Sequence, residues 1–373
     1  MNMTSQGFRQ QGLSIIELMI SMAIGLLILA GLVTMFVNSS ANQRELQRSS
    51  IRIENGRYAM DAMTQDLHHA GYYGQYFLNV VPTTAKDPCD LTSAAMIAAA
   101  GFPIQAYSAA SATARPDLSA TTCATAQSNI LSTANLNPGS DVLVIRRTNT
   151  DLLAIGSVAV SGEIYLQANP VEAEFQVGSG AAIAATLTNS KANGGTATIM
   201  NAQRTAAAEI RKLRVHIYFV APCSRPNGGG DVCTGASDDG GSPIPTLKRL
   251  EMIGASGSRT FTVVPIAEGI EYLQLSYGID NAPATVNSAT GFKGDGVPDT
   301  NLRAPTLADH ANIVEAKVSL LARNNDATQG FTDTKTYLVG SYSLGPYNDR
   351  FKRSVFDSNI RMTNLSSRRE IPR

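Results

Sequence analysis

Hydrophobic and polar positions divide this chain sharply in two. Leu18 to Val37 is twenty residues without a charge. A helix of that length, rising about 1.5 Å per residue, spans a hydrocarbon core of about 30 Å. The run is longer than the apolar region of an ordinary secretory signal, and only polar residues, "MNMTSQGFRQQG", precede it. Beyond Val37 the helical pattern turns amphipathic: Leu46, Ile53, Met60 and Leu67 recur every seven residues, with Met63 and Ala70 flanking that stripe. Gly71 in "HHAGYYG" supplies a stop. A freestanding coiled coil is the weaker reading, because Arg52, Arg57 and Asp61 crowd the seam.

After the helix the period changes from helical to alternating. Strands are predicted at 141–147, 163–168, 212–220, 246–253, 260–266, 270–278 and 314–323, with Leu213, Val215, Ile217 and Phe219 sharing one face. "PNGGGD" and "DDGGSP" between them are turn chemistry. Residues 75–136, poor in charge and rich in Ala, Ser and Thr, read as an irregular insertion. The expected fold class is α+β: a long N-terminal helix, half membrane span and half amphipathic, packed on an antiparallel sheet within one β-rich region, 71–373.

Charge narrows the function classes. Thirty basic and thirty acidic residues cancel, and 16% charged residues give no bulk signal for nucleic acid. The segment 350–373 is the exception: Arg350, Lys352, Arg353, Arg361, Arg368, Arg369 and Arg373 face only Asp357 and Glu370, as expected of a solvated basic face or a docking patch. Cys89, Cys123, Cys223 and Cys233 lack C-x-x-C spacing and a nearby histidine, so disulfides in an oxidising compartment are the better reading. Of three connectivities, the local pairs 89 with 123 and 223 with 233 each clamp a loop-like segment, the second being the floppy "CSRPNGGGDVC". Arginines flank both ends of the apolar run, so charge leaves its orientation open; disulfides place the C-terminal part outside the cytoplasm and the amino terminus within.

One carboxylate, Glu17, opens the apolar run, although a charge at membrane depth costs about 2.5 to 3.5 kcal/mol and needs a partner. No basic side chain lies between Arg9 and Arg44 to provide one. The surrounding "QQGLSIIELMISMAIGLLIL" resembles the class III signal of type IV pilins and type II secretion pseudopilins. The resemblance implies cleavage by a prepilin peptidase after Gly12, methylation of the new amino terminus at Leu13, and pairing of Glu17 with a neighbouring subunit's amine created by that cut. Two positions depart from the usual pattern, Leu13 for phenylalanine and Gln11 for a basic residue. Further stretches similar to minor pilins of this family are "ENGRYAMDAMTQDLHHAGYYG", "LRVHIYFVA", "IAEGIEYLQLSYGID", "KVSLLAR" and "FKRSVFDSNIRMTN". The organisation this implies is a leader at 1–12, a transmembrane and filament-core helix at 13–37, an amphipathic extension at 38–70 and a periplasmic or extracellular domain at 71–373.

Enzymatic motifs are missing: there is no G-x-S-x-G, H-E-x-x-H or G-x-x-x-x-G-K. His68 and His69 diverge by about 100° on a helix, and His216 and His310 have no ligand at a suitable spacing. Asp280, Asp295, Asp299 and Asn301, among glycines after a strand, form a candidate calcium set, with a plain hairpin turn as the alternative and Lys293 close by. The resemblance implies a non-enzymatic minor pilin that primes a type IV pilus and enters it, supporting adhesion and twitching motility. Its implied partners are other minor pilins, the major pilin and a tip-associated adhesin, at the inner membrane and then the cell surface. The alternatives are a J-type secretion pseudopilin and, from another class, a membrane-tethered periplasmic enzyme or ligand-binding protein.

Overall fold

The computed structural model describes residues 12, 14–76, 84–124, 129–154, 157–181, 188–190, 195–198, 201, 207–255, 257–281 and 294–370. Two compact units divide the chain, Met1–Ser50 and Ile51–Arg373. Helix α1 covers Ile15–His68, and its apolar stretch is long and apolar enough to cross a membrane. In the first unit Ile15, Leu18, Ile24, Leu29 and Val37 are all exposed.

In the second unit the helices are the end of α1, α2 (Ser93–Ala99) and α3 (Thr363–Ser366). Strands run in order as β1 (Ile104–Tyr107), β2 (Val142–Thr148), β3 (Ile164–Ala168), β4 (Ala173–Val177), β5 (Thr188–Ser190), β6 (Gly195–Thr198) and β7 (Glu209–Ala221). They continue as β8 (Thr246–Ala255), β9 (Ser258–Glu268), β10 (Ile270–Ile279), β11 (Thr300–Leu302), β12 (Ile313–Arg323), β13 (Tyr337–Val339), β14 (Tyr342–Leu344) and β15 (Arg353–Arg361).

Instead of one sheet there are two large ones. The first has seven strands, ordered β1-β2-β7-β3-β4 with β8 joining β7 to β9, and the second has four, ordered β11-β10-β12-β15. All pairings are antiparallel. Asp141, just before β2, ties the sheets together: its N–H donates to Leu273 O (2.7 Å) and its Oδ2 accepts from Leu275 N (2.8 Å) on β10. All seven predicted strands are present. The sequence pattern does not mark β1, β4, β5, β6, β11, β13 and β14, each of five residues or fewer, or β15, where Asp357 interrupts the apolar residues.

Strand β7 is buried on both faces, which explains its near-continuous apolar run. Leu213, Val215, Ile217 and Phe219 enter a core with the disulfide-bearing segment, including Cys89, Met96, Leu118 and Cys123. Residues 75–136 are therefore not simply irregular, since they contribute α2, β1 and much of this core. Tyr218 and Val220, on the opposite face, join a second core with Ala59, Met63, Leu67 and Ala70 of the helical segment and Leu273, Leu275, Val318 and Leu320 of the four-stranded sheet.

The predicted apolar stripe is corrected by the packing. Leu46 and Ile53 are exposed, whereas the buried positions of α1 are Arg52, Gly56, Ala59, Met63, Asp66 and Leu67. Small residues win this face because they let the helix approach the sheets closely. Arg52 and Asp66 can join them because strands supply polar partners: Arg52 Nη1 donates to Asn324 Oδ1 at 2.6 Å. The helix stops as expected at Gly71, whose left-handed φ of 69° a side chain would strain. Its N–H reaches Arg146 O (3.0 Å), and Asn364 Nδ2 reaches His68 O (3.1 Å) and Ala70 O (3.3 Å).

The basic C-terminal segment is also corrected. Arg350 and Arg361 are exposed as expected, but Arg353, Arg368 and Arg369 are buried. Arg353 pairs with Glu271 (2.6 Å), Asp333 (2.8 Å) and Asp349 (2.6 Å), Arg369 pairs with Asp280 (2.9 Å), and Arg368 donates to Gly71 O (2.7 Å). Acidic partners far away in sequence make burial of these charges tolerable.

Candidate functional site: the amino-terminal segment and a charged cleft

Gly12 is exposed, and a Cβ built on it would meet nothing within 4 Å. Among the described residues, packing therefore places no demand for glycine at position 12. Leu13 lies outside the described residues. The helix starts at Ile15, where Leu18 N–H donates to Ser14 O at 3.1 Å, and Glu17 sits exposed in the first turn. A carboxylate there faces the positive end of the helix dipole, a favourable but small interaction of about 0.3 to 1 kcal/mol.

A second constellation, which the spacing of residues did not reveal, surrounds Asp66. Its Oδ1 accepts from Arg147 Nε (3.1 Å) and Nη2 (3.0 Å), while Oδ2 accepts from the Tyr218 hydroxyl and from His216 Nδ1 (2.6 Å). The carboxylate can only accept when ionised, so Nδ1 of His216 carries the proton. Burial pushes the Asp66 carboxyl up, but the hydrogen bond and charge of His216, with Tyr218 and Arg147, overcome it and hold the group well below the usual carboxylate range. An Asp at helix position 66 and a His at alternating strand position 216 meet only through the tertiary fold, which is why sequence spacing assigned His216 nothing.

Asp66, Arg147 and His216 line a cleft of about 410 Å³. One wall is a helix stripe, Tyr58, Asp61, Ala62, Gln65, Asp66 and His69; the other is Arg147, Asn149, Arg214, His216, Arg249 and Glu251 from β2, β7, β8 and the residues after β2. Arg249 is paired with Glu251, and its Nη1 donates to Tyr218 Oη at 3.1 Å. His68, outside the cleft, bonds Arg361 O through Nδ1 at 3.0 Å, whereas His69 Nδ1 bonds Gln65 O at 2.7 Å. The adjacent histidines diverge, as the helical twist requires.

The four cysteines are joined as Cys89–Cys123 and Cys223–Cys233. The loop of the second bond is held rather than floppy: Asp238 accepts from Asn227 N (2.7 Å) and Thr234 N (2.7 Å), and Asp239 accepts from Ser224 N (2.9 Å) and Arg225 N (2.7 Å).

The calcium candidates are not gathered into one ligand set. Asp280 is buried and its Oδ2 accepts from Gly296 N (2.8 Å) and Arg369 Nε (2.9 Å). Asp299 accepts from Asn281 N (2.7 Å), Asp295 from Val297 N (2.9 Å), and Asn301 lies on β11 opposite Gly278. The three carboxylates do not converge within 4.8 Å of one another. Arg369 places a positive charge beside Asp280, and Lys293 lies outside the described residues.

Comparison with family models finds two matches. Residues 7–33 match the prokaryotic N-terminal methylation motif, and residues 233–364 match the type IV pilus-assembly protein W model. The second match spans β8 to β15 and includes Cys233, Glu271, Asp333 and Arg353. No curated protein and no solved structure matches the chain. Pilin-family matches point to a structural rather than an enzymatic protein. One match falls on the motif around Gly12 and Glu17 and the other on the strands that carry the buried Arg353 network; together they support a type IV pilin-like minor pilin.

Proposed function

We propose that this protein is a minor pilin that primes assembly of a type IV pilus and is incorporated at its initiating tip, supporting adhesion and twitching motility. In this reading a prepilin peptidase cuts after Gly12, the amine of Leu13 is methylated, and Glu17 pairs with the amine of a neighbouring subunit. The precursor is held in the inner membrane with its amino terminus cytoplasmic and its disulfide-bonded domain outside. Other minor pilins, the major pilin and a tip-associated adhesin are its partners. The observation that carries the reading is Glu17 in the first turn of an exposed apolar helix, five residues after Gly12. Among the described residues neither Gly12 nor Glu17 packs against anything that would account for it.

The test is the mature amino terminus, read by mass spectrometry, together with piliation of two variants. The expected terminus is a methylated Leu13, with uncut precursor from a Gly12 substitution and a cut but unassembled product from Glu17→Ala. Normal piliation by both variants would overturn the proposal. Loss of protein secretion with twitching intact would instead assign the chain to a secretion pseudopilus, a reading that the pilus-assembly match disfavours.

A further inference from the structure

We infer that Asn227 is a site of covalent self-modification: with Gly228 it closes to a succinimide and opens to aspartate or isoaspartate, whereas the fold protects the same dipeptide at Asn55 and Gly56. Asparagine before glycine is chemically labile, because no Cβ hinders the backbone nitrogen that attacks the side chain. Three such dipeptides occur, at 55–56, 193–194 and 227–228. The second lies outside the described residues.

The other two sit in opposite surroundings. Asn227 and Gly228 are exposed in the loop closed by Cys223–Cys233. Asn227 N–H donates to Asp238 Oδ1 at 2.7 Å, which fixes the residue on its amino side. Its carboxyl side is open: a Cβ on Gly228, Gly229 or Gly230 would meet nothing within 4 Å. Among the described residues Gly228 N–H has no acceptor. Rotation that brings Gly228 N to Asn227 Cγ gives up two long bonds, Gly229 N to Pro226 O and Asn227 Nδ2 to Ser237 Oγ, each 3.2 Å.

Asn55 lacks that freedom. It lies inside α1, where Gly56 N–H belongs to the helical ladder and Gly56 is pressed against the Phe356 ring. Asn55 Nδ2 donates to Glu268 O at 3.0 Å. Attack there requires the helix and its packing to open first.

Water is the only co-reactant. Gly228 N gives its proton to solvent and bonds to Asn227 Cγ, and the Cγ–Nδ2 bond breaks to release ammonia. Water then opens the ring. Attack at Cγ leaves aspartate; attack at the main-chain carbon leaves isoaspartate, with the chain running through Cγ. Either product adds a carboxylate beside Asp238, while the disulfide keeps the loop ends joined. No step involves Gly12 or Glu17, so this proposal and the pilus reading can fail separately.

The experiment ages the full chain in detergent micelles in warm, mildly alkaline buffer. Samples are reduced and digested, and mass spectrometry follows conversion of amide to acid in the peptides that carry Asn55 and Asn227, with isoaspartate assigned by fragmentation. In the folded protein Asn227 should convert at least about tenfold faster than Asn55, since even a modest opening free energy suppresses the helical site by that factor. In a parallel sample, reduced and unfolded in guanidinium chloride, the two should convert at similar rates. Asn227→Gln, which could close only a six-membered ring, should leave its peptide unchanged over the same period. Three results would overturn the proposal: Asn55 converting as fast as Asn227 in the folded chain, the preference persisting unchanged after unfolding, or Asn227 staying intact in the folded chain while the unfolded one converts.

Discussion

The ring edge of Phe356, on β15, occupies the space that a Cβ on Gly56 would take: Cε2 lies 2.2 Å from that position, Cζ 2.5 Å and Cδ2 2.7 Å. A mid-helix glycine ordinarily costs about 1 kcal/mol relative to alanine. Here the sign reverses, because overpacking an aromatic ring costs about 1 to 3 kcal/mol. Gly56→Ala should lower stability by a net of up to about 2 kcal/mol in a denaturant titration. Adding Phe356→Leu should restore part of the loss; no recovery would show that the ring is not the obstacle.

Asp66 is the buried centre of a polar cluster that includes Arg147, His216 and Tyr218. Asp66→Asn leaves Arg147 without its counter-charge and should cost about 3 kcal/mol at neutral pH. The folded-state pKa lies below the unfolded value, so the carboxylate's contribution is present above about pH 4 and is lost as pH falls through the folded value. Thermal melts between neutral pH and pH 2 should therefore converge for wild type and Asp66→Asn in acid. A gap that persists unchanged would contradict the pairing.

Arg353 holds three acidic groups at once and has its guanidinium 3.7 Å from the centre of the Tyr347 ring. Arg353→Met keeps the length but leaves Asp333 buried without its cation and Glu271 with Arg323 alone, at 3.6 Å. The expected loss is about 3 to 5 kcal/mol, close to unfolding a domain of ordinary stability. Arg350→Met, at an exposed position in the same segment, should change stability by less than about 0.5 kcal/mol.

The two disulfides close loops of different length, with separations of 34 and 10 residues. Loop-closure entropy assigns about 4 kcal/mol to Cys89–Cys123 and about 3 kcal/mol to Cys223–Cys233. Replacing each cysteine pair by alanine and comparing urea midpoints should place the 89/123 variant below the 223/233 variant. The reverse order would mean that the carboxylates of Asp238 and Asp239 lose their hold on the shorter loop once its bond is gone.

What the sequence determined by itself is local or periodic. The apolar run that begins at Leu18, Glu17 five positions after Gly12, the stop at Gly71, the period-two strands and the disulfide-ready cysteines all depend on near neighbours, and each can be read without knowing the fold. Tertiary structure decided which helix face is buried, since that depends on Phe356 reaching Gly56 and on Asn324 meeting Arg52. It also decided where charge goes. Arg353 and Arg369 read as surface charges along the chain and nothing in the spacing marks Asp66, yet Glu271, Asp280 and His216 arrive from distant strands and make the burial of all three possible. A buried charge is stable only with a partner, and the partner's position is a property of the fold rather than of the local sequence.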